Sequence, residues 1–407
     1  MKNLNLKIFF YLPFLLSFAF LWRISIFKNA SINFLDILLI GTIIASLYVL
    51  IIKKWTTDFW NYWTKKHLLI LIFLVLFIFS AIIAWIINLS ASDWTNSLGL
   101  IKSFIILPII FSIFTSFFIS KAFIKSFDLW KSFLISTGII SILGMITIIT
   151  NNLTFDKRLS LFYDSPNHLA MVLSPAIIIG IWMLFYKKSL NKKFLSEKES
   201  FCLIILILIF LIISFIFTKS FGAIIAILIS IIFLYLLRKK SFILTKALKI
   251  FILLLIFTST LIILNTSFFT NKLAYIPSLQ TSSFDSRIAI YQSSEKIAKN
   301  NSPWGIGPGN FQFFYLNNQK YFDPYPQWAV PHAHNNFLHI YLELGVIAFI
   351  SFFILVIIKL FSNKQQKKPE ILLAFTILIY FLIHGIFDTT IWHNDTTLLF
   401  WFILLLF

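Results

Sequence analysis

Three histidines lie close together where a long polar segment meets an apolar run, between Pro331 and His339. An imidazole at such a boundary is partly removed from water, titrates near physiological pH and can take a proton from a hydroxyl nucleophile. We expect His332 and His334, two residues apart, to point to opposite sides and therefore not to share one role. We expect His334 to be a general base, because Asn335 or the helix that follows can orient it. His332 and Asn335 are its predicted substrate-binding neighbours.

Two other interpretations of these histidines stay open. They can cap the following helix or line a polar patch with a structural role only. They can also bind zinc through His332, His334 and His339. A helix that begins near Asn335 turns His339 away from the other two, and the lone Cys202 lies in an apolar run. We therefore predict no metal at this site.

Arg287 stands at the start of a predicted helix within the polar segment. The helix begins near Asp285 and Ser286, either of which can cap it, and runs to about Lys299. Its predicted buried stripe consists of Ile288, Tyr291 and Ala298. A guanidinium matches phosphate oxygens in a fork, so Arg287 is a predicted anion clamp. The alternative is a surface ion pair with Asp285.

Arg158 and Lys219 are two further cations next to apolar runs. Arg158 lies shortly before Ser165 and Pro166, a good helix start with an N-cap residue and a proline at the first helical position. A helix N-terminus favours anions, so we predict that Arg158 contributes to anion binding there. Lys219 occupies a short turn between two apolar runs and can serve the same anion. Either cation can instead contact lipid headgroups.

Two polar pairs mark the ends of apolar runs near the C-terminus. They are His384 with Asp388 and His393 with Asp395. The sequence assigns them no role beyond helix ends.

The elements that must hold all these residues are membrane helices. Apolar residues make up 59% of the chain and charged residues only 12%, outside the range of ordinary soluble domains. The apolar residues come in runs of about 17 to 22, the length that crosses a hydrocarbon core as a helix. Barrel strands would show an alternating pattern, which is not visible. The predicted fold class is all-α, a polytopic membrane helical bundle of about twelve transmembrane helices.

The apolar runs also divide the chain. They predict spans at 8–22, 34–52, 68–88, 99–119, 132–150, 167–186, 201–217, 221–237, 250–264, 336–358, 371–387 and 395–407. We divide the chain into N-terminal transmembrane helices at 1–150, a catalytic membrane region at 151–358 and C-terminal transmembrane helices at 359–407. The catalytic region includes a long extracytoplasmic loop at 265–335. Structureless loops beyond about 15 residues are uncommon, so this loop should carry its own helices.

The basic residues predict the orientation of the chain in the membrane. The net charge is +19, but the lysines and arginines are spread through short loops rather than gathered into a nucleic-acid-binding patch. Most of the 34 basic residues fall on alternate loops, as the positive-inside rule requires of cytoplasmic loops. Both termini are therefore predicted to be cytoplasmic and the candidate site extracytoplasmic. The expected partners include membrane lipid and exclude nucleic acid.

Four blocks of residues resemble a known family. The pattern His334-Asn335-x-x-Leu338, followed by Glu343-x-Gly345, resembles the signature of bacterial O-antigen ligases, O-antigen polymerases and the related protein O-oligosaccharyltransferases. The other blocks are Arg158 with Ser165-Pro166-Asn167-His168-Leu169-Ala170, then Thr218-Lys219-Ser220-Phe221-Gly222-Ala223, then Ser286-Arg287 with Gly305-Ile306-Gly307-Pro308-Gly309-Asn310-Phe311. The resemblance covers about residues 155–350, and the N-terminal third matches only in hydropathy.

The resemblance implies a membrane glycosyltransferase (GT-C-like) fold in the bacterial cytoplasmic membrane. It implies transfer of a glycan from an undecaprenyl-diphosphate-linked donor to a hydroxyl of a glycolipid (lipid A-core) or glycan acceptor, without metal or cofactor. His334 matches the proposed base of the family, and Arg287 matches an arginine expected to bind the diphosphate. One position departs, since the family usually has a second essential arginine where this chain has Phe221. Either Lys219 or Arg158 supplies that charge, or the donor is held differently.

Within the family, the ligase type is preferred to the polymerase type. Polymerases often carry an arginine followed by glycine eleven residues later, and here Leu169 and Ala298 stand at that distance from Arg158 and Arg287. An alternative from another class is a transporter or flippase of lipid-linked glycans. It predicts internal repeats, short loops and ionisable residues near the bilayer midplane. This chain shows the opposite pattern.

Overall fold

The computed structural model describes residues 2–27, 30–89, 94–185, 197–238, 282–301, 303–319, 329–361 and 369–406. The helices in these ranges are α1 (Lys2–Leu15), α2 (Phe34–Ile52), α3 (Thr56–Asn61), α4 (Leu68–Ile87), α5 (Trp94–Leu100), α6 (Leu107–Ser120), α7 (Ser126–Ile149), α8 (Pro166–Phe185), α9 (Glu197–Thr218), α10 (Phe221–Arg238), α11 (Ser282–Asn300), α12 (Phe311–Gln319), α13 (Asn336–Phe361), α14 (Pro369–His384) and α15 (Asn394–Leu405). Short π-helical segments at Tyr62–Lys66 and Ile101–Ile106 join α3 to α4 and α5 to α6.

The predicted all-α membrane bundle is confirmed. Within the described residues, seven helices are long and apolar enough to cross a membrane, and shorter apolar helices accompany them. Their outer sides carry exposed apolar side chains, such as Ile44, Leu47 and Ile51 on α2. Hydrocarbon solvates such a surface, whereas water would drive it to aggregate. The chain is a multi-pass membrane protein.

Each predicted span that falls on described residues coincides with a helix, and the span 250–264 lies outside them. The first span differs in its end, because α1 stops at Leu15 and a 3-10 turn at Ser17–Leu21 follows. This turn leads into an antiparallel hairpin of β1 (Arg23–Phe27) and β2 (Ala30–Asn33). The sequence analysis missed the hairpin because strands of five and four residues are too short for an alternating pattern to stand out.

The long polar segment folds partly into α11 and α12. The predicted loop helix is confirmed as α11, which begins earlier than predicted, at Ser282. Its most buried apolar residues are Ile290 and Ile297, while the predicted Tyr291 and Ala298 are partly buried beside them. These two isoleucines belong to an apolar cluster with Ile306, Phe311, Tyr315, Val330, Ala333, Leu338 and Leu342. The cluster attaches the outer segment to the first turns of α13.

A kink in α13 creates the surface to which the outer segment attaches. The backbone leaves the helical conformation at Gly345, where φ is 83°. Ser80 of α4 pairs the backbone groups that the kink frees. Its hydroxyl donates to the Leu344 carbonyl at 2.6 Å and accepts from the Ala348 amide at 3.2 Å. Interrupted helices persist inside a membrane where a neighbouring helix pairs the freed backbone groups in this way.

The glycine-rich turn before α12 docks on this kink. The Ile306 amide donates to the Leu342 carbonyl at 2.8 Å, and the Gly309 amide donates to the Glu343 carboxylate at 2.9 Å. A Cβ on Gly305 would lie 2.7 Å from the Glu343 carbonyl oxygen, and φ at Gly305 is 92°. Only glycine fits there, because it tolerates both the close approach and the positive φ.

Several helix ends meet at one end of the bundle and define the site. α8 begins as predicted, because the Ser165 hydroxyl accepts from the His168 amide at 3.1 Å and Pro166 occupies the first helical position. α9 ends and α10 begins around Lys219, whose φ of 49° makes the tight turn between them. The start of α13 and the end of α14 are joined by a hydrogen bond from the Asn336 amide to the Gly385 carbonyl, at 2.8 Å.

The orientation of the chain can be tested by thiol labelling in a Cys202→Ala background. We expect a cysteine at Asn317, an exposed position on α12, to react with a membrane-impermeant reagent in spheroplasts. A cysteine at Lys54, exposed after α2, should react only after permeabilisation, because its basic turn is predicted to face the cytoplasm. The reverse pattern would invert the predicted topology. Lys192 and Lys367, in further predicted cytoplasmic loops, lie outside the described residues.

Candidate functional site

A cavity of about 420 Å³ lies where these helix ends meet. Its wall contains Arg158, Lys219 and Arg287, the three cations that the sequence analysis selected. The other lining residues are Asp156, Asn167, Ser220, Phe221, Gly222, Ile225, His384, Phe387 and Asp388. The volume falls within the range of about 300–1,000 Å³ that is typical of small-molecule sites. The fold therefore brings cations from three separate segments to one cavity.

His334 forms a close pair with Asp388. The Nδ1 atom of His334 lies 2.8 Å from Oδ1 of Asp388, which follows α14 and is 4% exposed. Burial alone would raise the pKa of Asp388, but the imidazoles of His334, His384 and His332 lower it well below its ordinary value. A carboxylate accepts hydrogen bonds and cannot donate them, so Nδ1 of His334 carries the proton. Nε2 is then the nitrogen that can accept another.

Asn335 holds the backbone on which His334 sits. The φ of His334 is 47°, a left-handed conformation that side chains disfavour. The buried Asn335 side chain accepts from the amides of Phe337 at 3.0 Å and Leu338 at 2.9 Å, which caps α13. Its Nδ2 donates to the Ile386 carbonyl at 3.0 Å. Asn335 therefore joins the start of α13 to the segment that carries Asp388.

Arg158 is held in the cavity wall by several partners. Its Nε donates to the Thr218 carbonyl at 2.7 Å, and its Nη2 donates to Oδ1 of Asn167 at 2.7 Å. Its Nη1 lies 3.6 Å from a carboxylate oxygen of Asp156. Nδ2 of Asn167 donates in turn to Oδ2 of Asp388 at 3.2 Å. These contacts favour a place in the site over a contact with lipid headgroups.

Arg287 and Lys219 line the same cavity from two other elements. Arg287 lies in the first half of α11, and its charge acts on Tyr291 and His384. Burial raises the pKa of Tyr291 to about 12, although the Arg287 charge opposes this increase. Lys219 is exposed at the turn between α9 and α10. The alternative ion pair of Arg287 rests on Asp285, whose side chain lies outside the described residues.

The other histidines lie closer to His334 than predicted. The ring centroid of His332 is 5.7 Å from that of His334 and 6.1 Å from that of His339. The prediction that His332 and His334 point to opposite sides is wrong, because residues two apart in an extended segment lie on the same face. The prediction that His339 turns away is also wrong. Burial lowers the pKa of His332 to about 3, and nearby His334 contributes to this decrease. His332 is therefore a neutral hydrogen-bonding group.

One group of described residues brings potential metal ligands together. Asp164, His168 and His393 each place a ligand atom within 4.8 Å of the others. The rings of His168 and His393 stack with centroids 3.6 Å apart, so their in-plane lone pairs run side by side and do not converge on one ion. Nε2 of His168 lies 3.3 Å from Oδ1 of Asp395. This arrangement fits a buried polar support between α8 and α15, and metal independence stays a prediction.

Residues 205–353 match the family model of O-Antigen ligase. The match runs from α9 to α13 and includes Lys219, Arg287 and His334. The chain carries an O-antigen ligase domain. This match confirms the family predicted from the motifs and supports, in general terms, glycan transfer of the O-antigen ligase/polymerase type. No curated protein matches the chain.

Six of the residues that line the cavity lie outside the matched range, among them Arg158, Asn167 and Asp388. Arg158 was predicted from its charge, Asn167 belongs to one of the motifs, and Asp388 was expected only as a polar residue at a helix end. The available signal for Asp388 was a carboxylate at the end of a strongly apolar run. Asp388 also lies beyond the predicted catalytic region 151–358, and that division of the chain stays a prediction.

Proposed function

We propose that this protein is an O-antigen ligase-type glycosyltransferase. It transfers a glycan from an undecaprenyl-diphosphate-linked donor to a hydroxyl of a glycolipid acceptor such as lipid A-core. The reaction takes place at the outer face of the bacterial cytoplasmic membrane. The observation that carries the proposal is one cavity in which Arg158, Lys219 and Arg287 lie beside Asp388, the partner of His334.

The chemistry requires a base and an anion site next to each other. The acceptor oxygen forms a bond to C1 of the donor sugar while the bond between C1 and the diphosphate oxygen breaks. The electron pair of that bond leaves with the diphosphate. A sugar hydroxyl has a pKa far above 7, so its proton must move to a base during attack. Nε2 of His334 accepts this proton, and the ionised Asp388 stabilises the imidazolium that results.

The cations of the cavity stabilise the leaving diphosphate. Arg287 offers a planar fork for the diphosphate oxygens. Arg158, before α8, and Lys219, between α9 and α10, add positive charge. Phe221 is 80% exposed at the cavity, where the similar family has an arginine. Arg158 and Lys219 together replace that charge. Arg158 contributes more, because its hydrogen bonds hold it in place while Lys219 is exposed.

His332 and Asn335 have different roles, one toward the substrate and one toward His334. The neutral His332 imidazole beside His334 can exchange hydrogen bonds with acceptor hydroxyls. Asn335 is buried and bonded to backbone groups, so it acts through the position of His334 rather than on substrate.

The test is a transfer assay with the purified protein in lipid nanodiscs. The donor is an undecaprenyl-diphosphate glycan, and the acceptor is either lipid A-core or a second molecule of donor. Glycan on lipid A-core supports the ligase, whereas a ladder of longer lipid-linked glycans would identify a polymerase instead. Transfer to neither acceptor contradicts the proposal. We expect a chelator to leave the rate unchanged, and inhibition that zinc reverses would revive the metal alternative.

Substitutions of Arg287 should separate fork geometry from charge. We expect Arg287→Ala to lower transfer by about 100- to 1,000-fold, as removal of a preorganised group that stabilises developing charge does. Arg287→Lys keeps a charge but loses the bidentate fork, so most of that loss should remain. The measurements are the initial rate and the amount of folded protein by size exclusion. Full activity in Arg287→Ala would remove Arg287 from the diphosphate site.

Arg158→Ala should act in the same direction with a smaller effect. Removal of one charge-assisted contact of about 1.5–3 kcal/mol corresponds to roughly a 10- to 100-fold loss. Lys219→Ala should cost less, because an exposed lysine is screened by water and salt. The comparison is the Michaelis constant for donor at low and high salt. A larger effect of Lys219 than of Arg158 would reverse their assigned order.

A further inference from the structure

Asn167 lies between the anion-binding and proton-accepting parts of the site. Its Oδ1 accepts from Nη2 of Arg158 at 2.7 Å, and its Nδ2 donates to Oδ2 of Asp388 at 3.2 Å. A guanidinium can only donate and a carboxylate can only accept. The two neighbours therefore orient the carboxamide, and both of its ends are occupied.

The contacts form one continuous chain from Arg158 to His334. Asp388 receives Nδ2 of Asn167 on Oδ2 and Nδ1 of His334 on Oδ1, at 2.8 Å. Asn167 is the second residue of α8, and the Ser165 cap sets the start of that helix. The side chain at 167 is thus attached to a fixed helix end, while its two partners come from a loop and from the segment after α14.

Neither aspartate nor leucine, the two side chains closest in size to asparagine here, makes both contacts. Aspartate at position 167 keeps an acceptor for Arg158 but loses the donor and faces Asp388 with a like charge. Leucine has a similar volume and makes neither contact. The position requires one donor and one acceptor at the end of a short side chain.

We infer that Asn167 is a positioning residue that aligns the diphosphate-binding Arg158 and, through Asp388, the proton-accepting His334. The inference rests on the proposed function, in which Arg158 binds diphosphate and His334 is the base. The side-chain oxygen of Asn167 keeps Arg158 in the cavity wall. Its NH₂ group holds the Asp388 carboxylate with the other oxygen on His334.

Two substitutions separate the ends of the carboxamide. Asn167→Asp removes the donor to Asp388 and adds a negative charge beside it, whereas Asn167→Leu removes the contacts with both neighbours and adds no charge. Asn152→Leu is the matched control, because Asn152 is an exposed asparagine in the loop before α8 and lines a different cavity. Both substitutions leave in place the other ionisable groups around the Asp388–His334 pair. These are His332, His339, His384, His393, Arg158, Arg287, Tyr291 and Tyr380.

The first readout is the pH dependence of transfer. Without the Nδ2 donor, the charge on Asp388 is less dispersed and favours the protonated His334 ring, which cannot act as a base. We expect the acid limb of the rate profile to move to higher pH in both variants, by about one pH unit, as loss of a hydrogen bond to a charged group implies. A purely structural defect lowers the rate at every pH and leaves the acid limb of the profile at its wild-type pH.

The second readout is binding of undecaprenyl diphosphate without glycan. We expect Asn167→Leu to bind it about 10-fold more weakly, because Arg158 loses its acceptor. Asn167→Asp keeps that acceptor, and at high salt, where its added negative charge is screened, it should bind close to the wild-type affinity. Unchanged pH limbs together with equal affinities in the two variants would overturn the inference. If the wild type transfers no glycan, the proposed function fails, and this binding comparison still decides whether Asn167 aligns Arg158. The aspartate variant serves if the leucine variant does not fold.

Discussion

Replacement of His334 by alanine is expected to lower glycan transfer by about 100- to 10,000-fold, the usual contribution of a general base. The effect should be confined to the chemical step, because His334 acts through a proton transfer and the cations that bind the donor are untouched. The measurements are the turnover number and the dissociation constant for undecaprenyl diphosphate. The turnover number should fall while the dissociation constant stays within about twofold.

Two histidine variants serve as controls for His334→Ala. His67→Ala removes an imidazole between α3 and α4, outside the cavity, and should leave transfer unchanged. His332→Ala should keep substantial activity, because burial lowers the pKa of His332 to about 3 and its neutral ring is too weak a base for the role. An active His334→Ala alongside an inactive His332→Ala would show that His334 is not the base.

Asp388→Asn is expected to lower the turnover number by up to about 10,000-fold, the loss seen when the carboxylate that orients a catalytic histidine becomes an amide. The asparagine can donate to Nδ1 of His334, which would favour the wrong tautomer and leave no lone pair on Nε2. It also removes the charge that stabilises the imidazolium. The affinity for donor should stay unchanged or rise, because the substitution removes a negative charge from a cavity that binds an anion.

Asp156→Asn is the matched control for Asp388→Asn. Asp156 lines the same cavity, is about two-fifths exposed and lies 3.6 Å from Arg158, but none of the described contacts joins it to His334. We expect at most about a twofold change in turnover, as is usual for an exposed ion pair. A turnover number in Asp388→Asn equal to that of the wild type would show that His334 works without its partner.

The same carboxylate links the site to folding. The pKa of Asp388 is lower in the folded chain than its ordinary value near 4, so the unfolded chain binds the proton more readily. Asp388 therefore stabilises the fold above about pH 4, and this contribution is lost as the pH falls through the lower folded value. Asp388→Asn lacks the contribution at neutral pH, so its rate must be divided by the amount of folded protein.

Membrane spans and helix starts could be predicted because both depend on local sequence. A run of apolar residues partitions into hydrocarbon whatever its neighbours are, and inside hydrocarbon a helix is the conformation that pairs its own backbone. The start of α8 likewise depends on Ser165 and Pro166 alone. Arg158 and Lys219 could be selected because a charge beside an apolar run is costly and stands out. Arg287 could be selected because it opens a helix predicted within the polar segment.

The side on which each histidine lies could not be predicted in the same way. φ at His334 is positive, and Asn335 beside it bonds to the Ile386 carbonyl in another segment. Local preference disfavours a positive φ for a residue with a side chain. The contact between Asn335 and Ile386, across the fold, outweighs this local preference.

The partners of the base were decided by tertiary structure alone. His334 and Asp388 are 54 residues apart, and Asn167 and Asp388 are 221 apart. The sequence predicts that each residue lies at a membrane boundary, since hydropathy places the ends of the helices. Which ends meet depends on how α8, α10, α13 and α14 pack their apolar sides in three dimensions. That packing is a sum over side chains from the whole bundle, and no short stretch of the chain contains it.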